Sequence, residues 1–336
     1  MDQQYKALKI GAAVIALAIF LKLFTVVFTS ARDSFLNPEM LSLAVFLQTG
    51  RVVRFPGRQE TPAATQPPQI VEPEATEPTN QEPALPVFSA DDAKNMDLIY
   101  GCDYRPDLGS LMASSLSWDL TDGQPAVLIV HTHATEAYTP TAGTAYEESS
   151  DYRTLDDRYN MVSIGDEVAR VLEEGGIRVI HDRSYHDYPD FNYAYINARK
   201  SIAEYLEEYP TIRMVLDIHR DAGAGENGYQ LSTSATVGGQ SSAQVMVVIG
   251  TDASGNTHPN WRTNLALALK LTAQLERNHP GVTRPVYLRQ ERFNMDMTPG
   301  SLLVEVGASG DTHEEAILAA NALARGILQL ARGTLQ

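Results

Sequence analysis

The chain has 336 residues, a single cysteine and a formal net charge of -16. This acidity argues against a nucleic-acid partner, because phosphate binding requires clusters of lysine and arginine. The lone Cys102 excludes both an intrachain disulfide and a zinc site built from four cysteines. The length predicts one large domain or two ordinary ones.

An apolar stretch near the N-terminus predicts a membrane anchor. Residues 10–28 are nearly all apolar, which is just long enough for a transmembrane helix. Lys6 and Lys9 precede the stretch and favour a cytoplasmic N-terminus. A cleaved signal peptide is the alternative, but the stretch is long for one and lacks a clean small-residue cleavage site. We therefore expect residues 1–31 to form a transmembrane anchor and residues 32–57 a juxtamembrane segment.

A segment of different composition follows the juxtamembrane region. Residues 62–86 contain seven prolines and several glutamates but no lysine or arginine. Such a segment cannot bury a core and stays extended. We expect residues 58–90 to be a disordered linker that carries a catalytic domain, residues 91–336, away from the membrane.

Strand-like and helix-like segments alternate along the C-terminal domain. Strands are predicted over 127–130, 177–181, 214–218, 229–236, 245–249, 286–289 and 302–306, and helices over 160–174, 193–208, 261–277 and 312–332. This alternation predicts an α/β fold, with a mostly parallel or mixed twisted sheet and helices on both faces. Because no helix separates the strands over 229–236 and 245–249, we expect these two to add an antiparallel edge.

Histidines follow two of the predicted strands. His131 and His133 come directly after 127–130, and His219 follows 214–218, with Glu136 in the loop beyond the first pair. The carboxyl ends of strands are where open α/β sheets bind ligands. Imidazole and carboxylate groups from two such strand ends can converge on one zinc ion. We interpret this cluster as a metal site, against the alternative that single histidines are structural.

Glu305 is the second chemical signal, because it stands inside the apolar stretch 301–306. A buried carboxylate is costly unless it is paired or functional, and burial raises its pKa into the range that suits a general base. We expect Glu305 to be catalytic. The alternative is a buried ion pair with Arg284 or Arg292.

Charged residues flank His219 on both sides. Asp217 or Asp221 could orient the imidazole by accepting a hydrogen bond from it. Arg220 could bind a substrate carboxylate, or it could simply pair with a nearby acid such as Asp221.

At these motifs the chain resembles the stage II sporulation protein P family. The matching strings cover residues 131–138, 159–165, 217–221, 264–270 and 292–307, in the order of the family and across nearly the whole predicted domain. The predicted anchor and linker also look like those of the family.

The resemblance implies a zinc-dependent cell-wall hydrolase that lies outside the cytoplasmic membrane. Members cleave the bond between N-acetylmuramic acid and L-alanine and are credited with endopeptidase cutting of cross-links. The implied fold is similar to that of N-acetylmuramoyl-L-alanine amidases. Besides peptidoglycan, the implied partners are a lytic transglycosylase (sporulation protein D) and a membrane scaffold (sporulation protein M), which act in engulfment of the forespore.

The wider amidase class uses a His, Glu, His metal set and a separate catalytic glutamate. Carried over to this sequence, the resemblance implies that His219 is the later histidine ligand and Glu305 the catalytic glutamate. The early histidine is His131 or His133. Glu136 is the preferred carboxylate ligand. Asp156 is the reserve, because the glutamate ligand of the amidase class lies farther downstream of the first histidine.

Two other functions stay open from the sequence. One is a cell-wall-binding scaffold without turnover, against which the presence of His219 and Glu305 argues. The other is a zinc carboxypeptidase that uses the same metal set.

Overall fold

The computed structural model describes residues 86–117, 119–223 and 230–331, and the backbone of residues 334 and 335. The predicted anchor, the juxtamembrane segment and nearly all of the predicted linker lie outside the described residues. Among the helices within the described residues, none is both long and apolar enough to cross a membrane. Phe88, at the end of the predicted linker, is buried in the core of the domain.

Helices and strands alternate along the described chain as the sequence predicts. The helices are α1 (Leu108–Ala113), α2 (Met161–Glu174), α3 (Ala194–Glu208), α4 (Trp261–Asn278) and α5 (His313–Leu330). The strands are β1 (Leu98–Gly101), β2 (Leu116–Ser117), β3 (Pro125–Val130), β4 (Arg178–His181), β5 (Met214–Asp221), β6 (Ala235–Val237), β7 (Gln240–Ser242), β8 (Val245–Ile249), β9 (Val286–Arg289), β10 (Ser301–Ala308) and β11 (Thr334–Leu335).

Seven of these strands form one mixed sheet, in the order β1-β9-β8-β10-β5-β3-β4. Strands β10, β5, β3 and β4 are mutually parallel, and so are β1, β9 and β8. The two groups meet where β10 runs antiparallel to β8. The predicted α/β fold with a mixed sheet is confirmed.

The position of the antiparallel pairing differs from the prediction. Strand β8 lies in the interior of the sheet, because all five of its residues are buried and a continuously apolar strand belongs between two neighbours. The predicted strand over 229–236 is replaced, within the described residues, by a separate hairpin of β6 and β7. Gly238 and Gly239 form its two-residue turn, and both have positive φ, as tight hairpin turns require.

Helices pack on both faces of the sheet. Val127 and Ile129 of β3 pack in the large core that includes residues of α1, α2, α4 and α5. Leu128 and Val130 point the opposite way, since side chains alternate along a strand, and they pack with Ile202 of α3. On that second face, α3 lies over β3 and β5, whereas residues of β8, β9 and β10 line a cleft.

Helix α2 approaches two histidines at Gly165, the buried His131 and the half-buried His181. A Cβ added there would lie 2.5 Å from Nε2 of His131 and 2.5 Å from Nε2 of His181. The two Nε2 atoms are themselves 2.8 Å apart, and His131 is fully buried. The absence of a side chain at Gly165 therefore makes room for this pair of imidazoles.

Gly165→Ala should destabilise the fold, although alanine ordinarily favours a helix over glycine. We expect a loss of about 1–3 kcal/mol from overpacking against rigid rings. Urea unfolding of the full chain in detergent measures it. Gly109→Ala in α1 is the control, because its nearest atoms would be 3.4 Å away. That control should be neutral or stabilising by up to about 1 kcal/mol, and equal destabilisation of both variants would contradict the explanation.

Candidate metal centre

Three side chains with metal-binding donor atoms converge at one end of β3 and β5. Donor atoms of His133, Glu136 and His219 all lie within 4.8 Å of one another. Nδ1 of His133 is 3.6 Å from Oε1 of Glu136, and Nδ1 of His219 is 3.4 Å from Oε2 of the same carboxylate. Two imidazoles and one carboxylate are the ligand types and number that catalytic zinc sites use. The donor set therefore fits a zinc ion.

Local chain geometry separates His133 from His131. Strand β3 ends at Val130, and the chain turns over residues 132–135, so the two histidines do not share a strand face. His131 is directed into the core, where Nδ1 lies 3.0 Å from the carbonyl oxygen of Ile218 and Nε2 contacts His181. His133 is brought to the metal group and His131 is not.

Glu136, and not Asp156, is the carboxylate in this group. Asp156 lies in the following loop and forms an ion pair with the exposed Arg158. Glu136 is buried, and its backbone N–H donates to the carbonyl oxygen of His133 at 3.2 Å, which keeps the two residues in one turn.

Asp217 holds the two strands of the site together. It is nearly fully buried, and its carboxylate accepts hydrogen bonds from the backbone N–H of Thr132 at 2.8 Å and from the Thr132 hydroxyl at 2.6 Å. Its Oδ1 also lies 3.0 Å from Nε2 of His219. This contact is an ion pair that lacks hydrogen-bond geometry. It places the Asp217 carboxylate behind the imidazole, on the side away from Glu136, which lies near Nδ1.

The electrostatic surroundings keep Glu136 ionised. Burial alone would raise its pKa, but contacts with His133 and His219 and the charge of Arg220 hold the pKa of this carboxyl well below its usual range. Arg153 adds an ion pair, with Nη2 at 3.1 Å from Oε1. An ionised carboxylate is the form that binds a metal.

His219 carries the complementary charge in the absence of a metal ion. Burial opposes its protonation, yet the carboxylates of Asp217 and Glu136 on either side raise the pKa of the imidazole well above its usual range. Metal binding would have to displace the proton on Nδ1, because only neutral imidazole is a ligand.

Arg220 is buried beside Glu136. Its Nε donates to the carbonyl oxygen of Ala137 and its Nη2 to that of Tyr152, each at 2.9 Å. Its backbone N–H is 3.3 Å from Oε2 of Glu136. These bonds tie the Glu136 loop to β5, and the role of Arg220 in substrate binding stays a prediction.

Glu305 lies on the same face of the sheet as His219. The two residues are paired across the neighbouring parallel strands β10 and β5, and Met246 of β8 is paired with Glu305 on its other side. No hydrogen-bond partner for the buried Oε2 atom is found among the described residues. Burial raises the pKa of Glu305 to about 8.

The two arginines considered as partners for Glu305 bind other acids. Nη1 of Arg284 is 2.8 Å from Oδ2 of Asp221, and Nη1 of Arg292 is 3.4 Å from Oδ2 of Asp296. Glu305 thus keeps an unpaired carboxyl group in the cleft, beside the three residues of the metal group.

Aromatic side chains form one wall of the cleft. Phe191 stacks on the ring of His133 with centroids 4.5 Å apart, and Tyr195 meets the same ring edge-on at 5.5 Å. The guanidinium of Arg153 lies 4.9 Å from the Phe191 ring centroid. These three residues were not predicted as site residues, because nothing in their local sequence pattern distinguishes them from ordinary helix-start and loop residues.

A family model matches most of the chain, and one curated protein is similar to part of it. The family model described as Stage II sporulation protein P (SpoIIP) matches residues 42–328. The chain belongs to the stage II sporulation protein P family. Stage II sporulation protein P of Bacillus subtilis (strain 168) is 28% identical over 215 residues, which cover 61% of this chain and 50% of that protein. The matched stretch thus spans half the length of this relative.

Solved structures of amidases are also similar to the chain. N-acetylmuramoyl-L-alanine amidase Ami1 of Mycobacterium smegmatis matches with a TM-score of 0.38 and 16% identity, covering 63% of this chain and 98% of that chain. Amidase AmiC2 of Nostoc punctiforme matches with a TM-score of 0.37 and 15% identity, covering 62% and 97%. The family assignment comes from the family model and not from these structural matches.

The two neighbouring histidines give a direct test of the metal group. We expect His133→Asn to lose most bound zinc, because the substitution removes the imidazole nitrogen that His133 contributes to the group. His131→Asn should keep its zinc. Metal content after zinc loading and dialysis is measured by mass spectrometry, with circular dichroism to verify that both variants are folded. Loss of zinc from folded His131→Asn, with retention in His133→Asn, would reverse the assignment.

Stability of the metal-free chain should depend on pH through Glu305. Burial raises the pKa of this carboxyl from 4.5 to about 8 in the folded state. Between these two pH values the folded state keeps a proton that the unfolded state has released, so the free energy of unfolding falls as pH rises from 4.5 to about 8. Glu305→Gln should therefore gain stability relative to the wild type by roughly 2–4 kcal/mol between pH 5 and pH 9. Urea unfolding in EDTA measures the difference, and a pH-independent difference would contradict the burial argument.

Proposed function

We propose that this protein is a zinc-dependent peptidoglycan hydrolase of sporulation that cleaves the amide bond between N-acetylmuramic acid and L-alanine. The observation that carries the proposal is the grouping of His133, Glu136 and His219 beside the unpaired carboxyl of Glu305. Membership of the stage II sporulation protein P family supports the biological setting. Cross-link endopeptidase activity is a further expectation from the family resemblance.

His133, Glu136 and His219 are the residues that would hold the zinc ion. When bound there, zinc would supply a Lewis acid for the amide carbonyl and lower the pKa of water at the site to about 7. Asp217 is the counter-ion behind the His219 ring, the charge of Arg220 helps to keep Glu136 ionised, and Arg153 and the backbone N–H of Arg220 hold Glu136 in place.

Glu305 would move the protons of the reaction. Its carboxylate accepts the proton of the attacking water and passes it to the amide nitrogen, which leaves as the amine of L-alanine. The apolar neighbours of Glu305, among them Met246 and Leu303, favour its protonated form. A carboxyl group whose pKa lies near neutrality can serve both as base and as acid.

The proposed location is the outer side of the cytoplasmic membrane, with the predicted helix over residues 10–28 as anchor and residues 58–90 as tether. This would place the cleft next to the cell wall, or in the space between the two membranes of a sporangium. The lytic transglycosylase and the membrane scaffold implied by the family resemblance are the proposed protein partners.

Hydrolysis of purified cell walls by the zinc-loaded full chain in detergent tests the proposal. We expect wall lysis with release of intact stem peptides that carry a free L-alanine amine, identified by mass spectrometry. Glu305→Gln should retain zinc and reduce the rate by at least about 10²-fold, because it removes the proton acceptor. Shortened stem peptides would instead indicate the carboxypeptidase, and zinc binding without any lysis would indicate the scaffold.

A further inference from the structure

We infer that Arg289 binds a carboxylate of the substrate's stem peptide at the edge of the cleft. The inference rests on the proposed function, because peptidoglycan is the molecule that would bring such a carboxylate to this place. It is carried by a held guanidinium group whose terminal nitrogens have no partner among the described residues.

Arg289 lies at the carboxyl end of β9, in the wall of the cleft that also contains His219 and Glu305. The cleft has a volume of about 380 Å³. This volume exceeds what the attacked amide alone would fill, so the cleft has room for a neighbouring part of the peptide.

The guanidinium of Arg289 is held in position by its neighbours. Its central carbon lies 4.9 Å from the ring centroid of Tyr287 and 5.6 Å from that of Phe293. Its Nε donates a hydrogen bond to Oε2 of Glu291 at 3.0 Å. A guanidinium that is held before binding loses less conformational freedom when it forms hydrogen bonds to a ligand.

Strand β1 contributes to this placement through Gly101, which is paired with Arg289 in the sheet. A Cβ at Gly101 would lie 2.9 Å from the ring of Tyr287 and 3.2 Å from Cδ of Arg289. Any larger residue at this position would push the arginine and its aromatic neighbour away from the strand.

The terminal nitrogens of Arg289 are available to a ligand. Nε is used by Glu291, and the described residues provide no hydrogen-bond acceptor for Nη1 or Nη2. The side chain is 34% exposed. Arg153, Arg220 and Arg284 also line the cleft, but the first two are bonded to carboxylates or backbone carbonyls. Nη1 of Arg284 pairs with Asp221, and its Nε and Nη2 have no hydrogen-bond partner among the described residues. Those two atoms are buried, whereas the side chain of Arg289 is open to a ligand.

Charge decides which ligand suits this position. Two parallel N–H groups of a guanidinium match the two oxygens of a carboxylate. The other arginines of the cleft face acids or backbone carbonyls, whereas Nη1 and Nη2 of Arg289 have no acceptor among the described residues and are therefore free to bind an anion. The N-acetylated sugars and the attacked amide are neutral, whereas the stem peptide has an internal carboxylate on its second residue and another at its C-terminus.

The test compares binding of three synthetic muramoyl peptides: one with both carboxylates free, one amidated at the second residue and one amidated at the C-terminus. Calorimetry on the zinc-loaded full chain in detergent is carried out in the Glu305→Gln background, so that turnover does not interfere. We expect one of the two amidated peptides to bind about ten-fold more weakly than the free peptide. The amidated position that weakens binding identifies which carboxylate Arg289 holds.

Adding Arg289→Gln should abolish this preference, and Arg289→Lys should restore it only in part because lysine lacks the planar fork. Arg292→Gln is the matched control. Arg292 is 29% exposed and paired with Asp296, but it does not line the cleft, so the preference should persist. With Glu305 intact, Arg289→Gln should raise KM for the free peptide about ten-fold and leave kcat within about two-fold.

Equal binding of all three peptides, absence of binding, or a preference that persists in Arg289→Gln would overturn the inference. The proposed function fails separately. If the wild type hydrolyses no muramoyl peptide but shows the Arg289-dependent preference, the function is wrong and the carboxylate site stands. If hydrolysis occurs without the preference, the function stands and the site is wrong.

Discussion

The arrangement of the site depends on one buried carboxylate, that of Asp217. It lies in β5, accepts two hydrogen bonds from Thr132 in the loop after β3, and contacts the outer nitrogen of His219. A buried carboxylate without such partners would cost several kcal/mol. The two hydrogen bonds from Thr132 stabilise the ionised carboxylate of Asp217, and they also fix the loop that contains His133 relative to β5. Asp217 thus joins the loop that leads to His133 with the strand that contains His219.

The two glutamates of the site differ because their surroundings differ. Glu136 is surrounded by imidazole and guanidinium groups, which hold its pKa well below the usual range. Glu305 is paired in the sheet with His219 on one side and Met246 on the other, and burial raises its pKa to about 8. The antiparallel meeting of β10 and β8 provides this apolar neighbour. One carboxyl group is thus suited to binding a cation and the other to transferring protons.

Sequence patterns predicted much of the fold and a large part of the site. Long buried strands such as β3, β5 and β10 are visible as apolar runs, and they position His219 and Glu305 directly. The choice between His131 and His133 was not accessible, because alternation along a strand applies only while the strand continues, and β3 ends at Val130. Strand β1 escaped prediction because it is a short edge strand whose residues are largely exposed. Arg289 could not be predicted from its own sequence neighbourhood, since its placement depends on β1 and on rings brought close by the fold.

The central claim is that one zinc ion binds between His133, Glu136 and His219. Anomalous diffraction at the zinc absorption edge, from crystals of the zinc-loaded protein, tests it most directly. The account predicts a single strong peak within bonding distance, about 2.0–2.2 Å, of one nitrogen of each histidine and of a Glu136 oxygen. A peak between His131 and His181 instead, or no peak at either place, would contradict it.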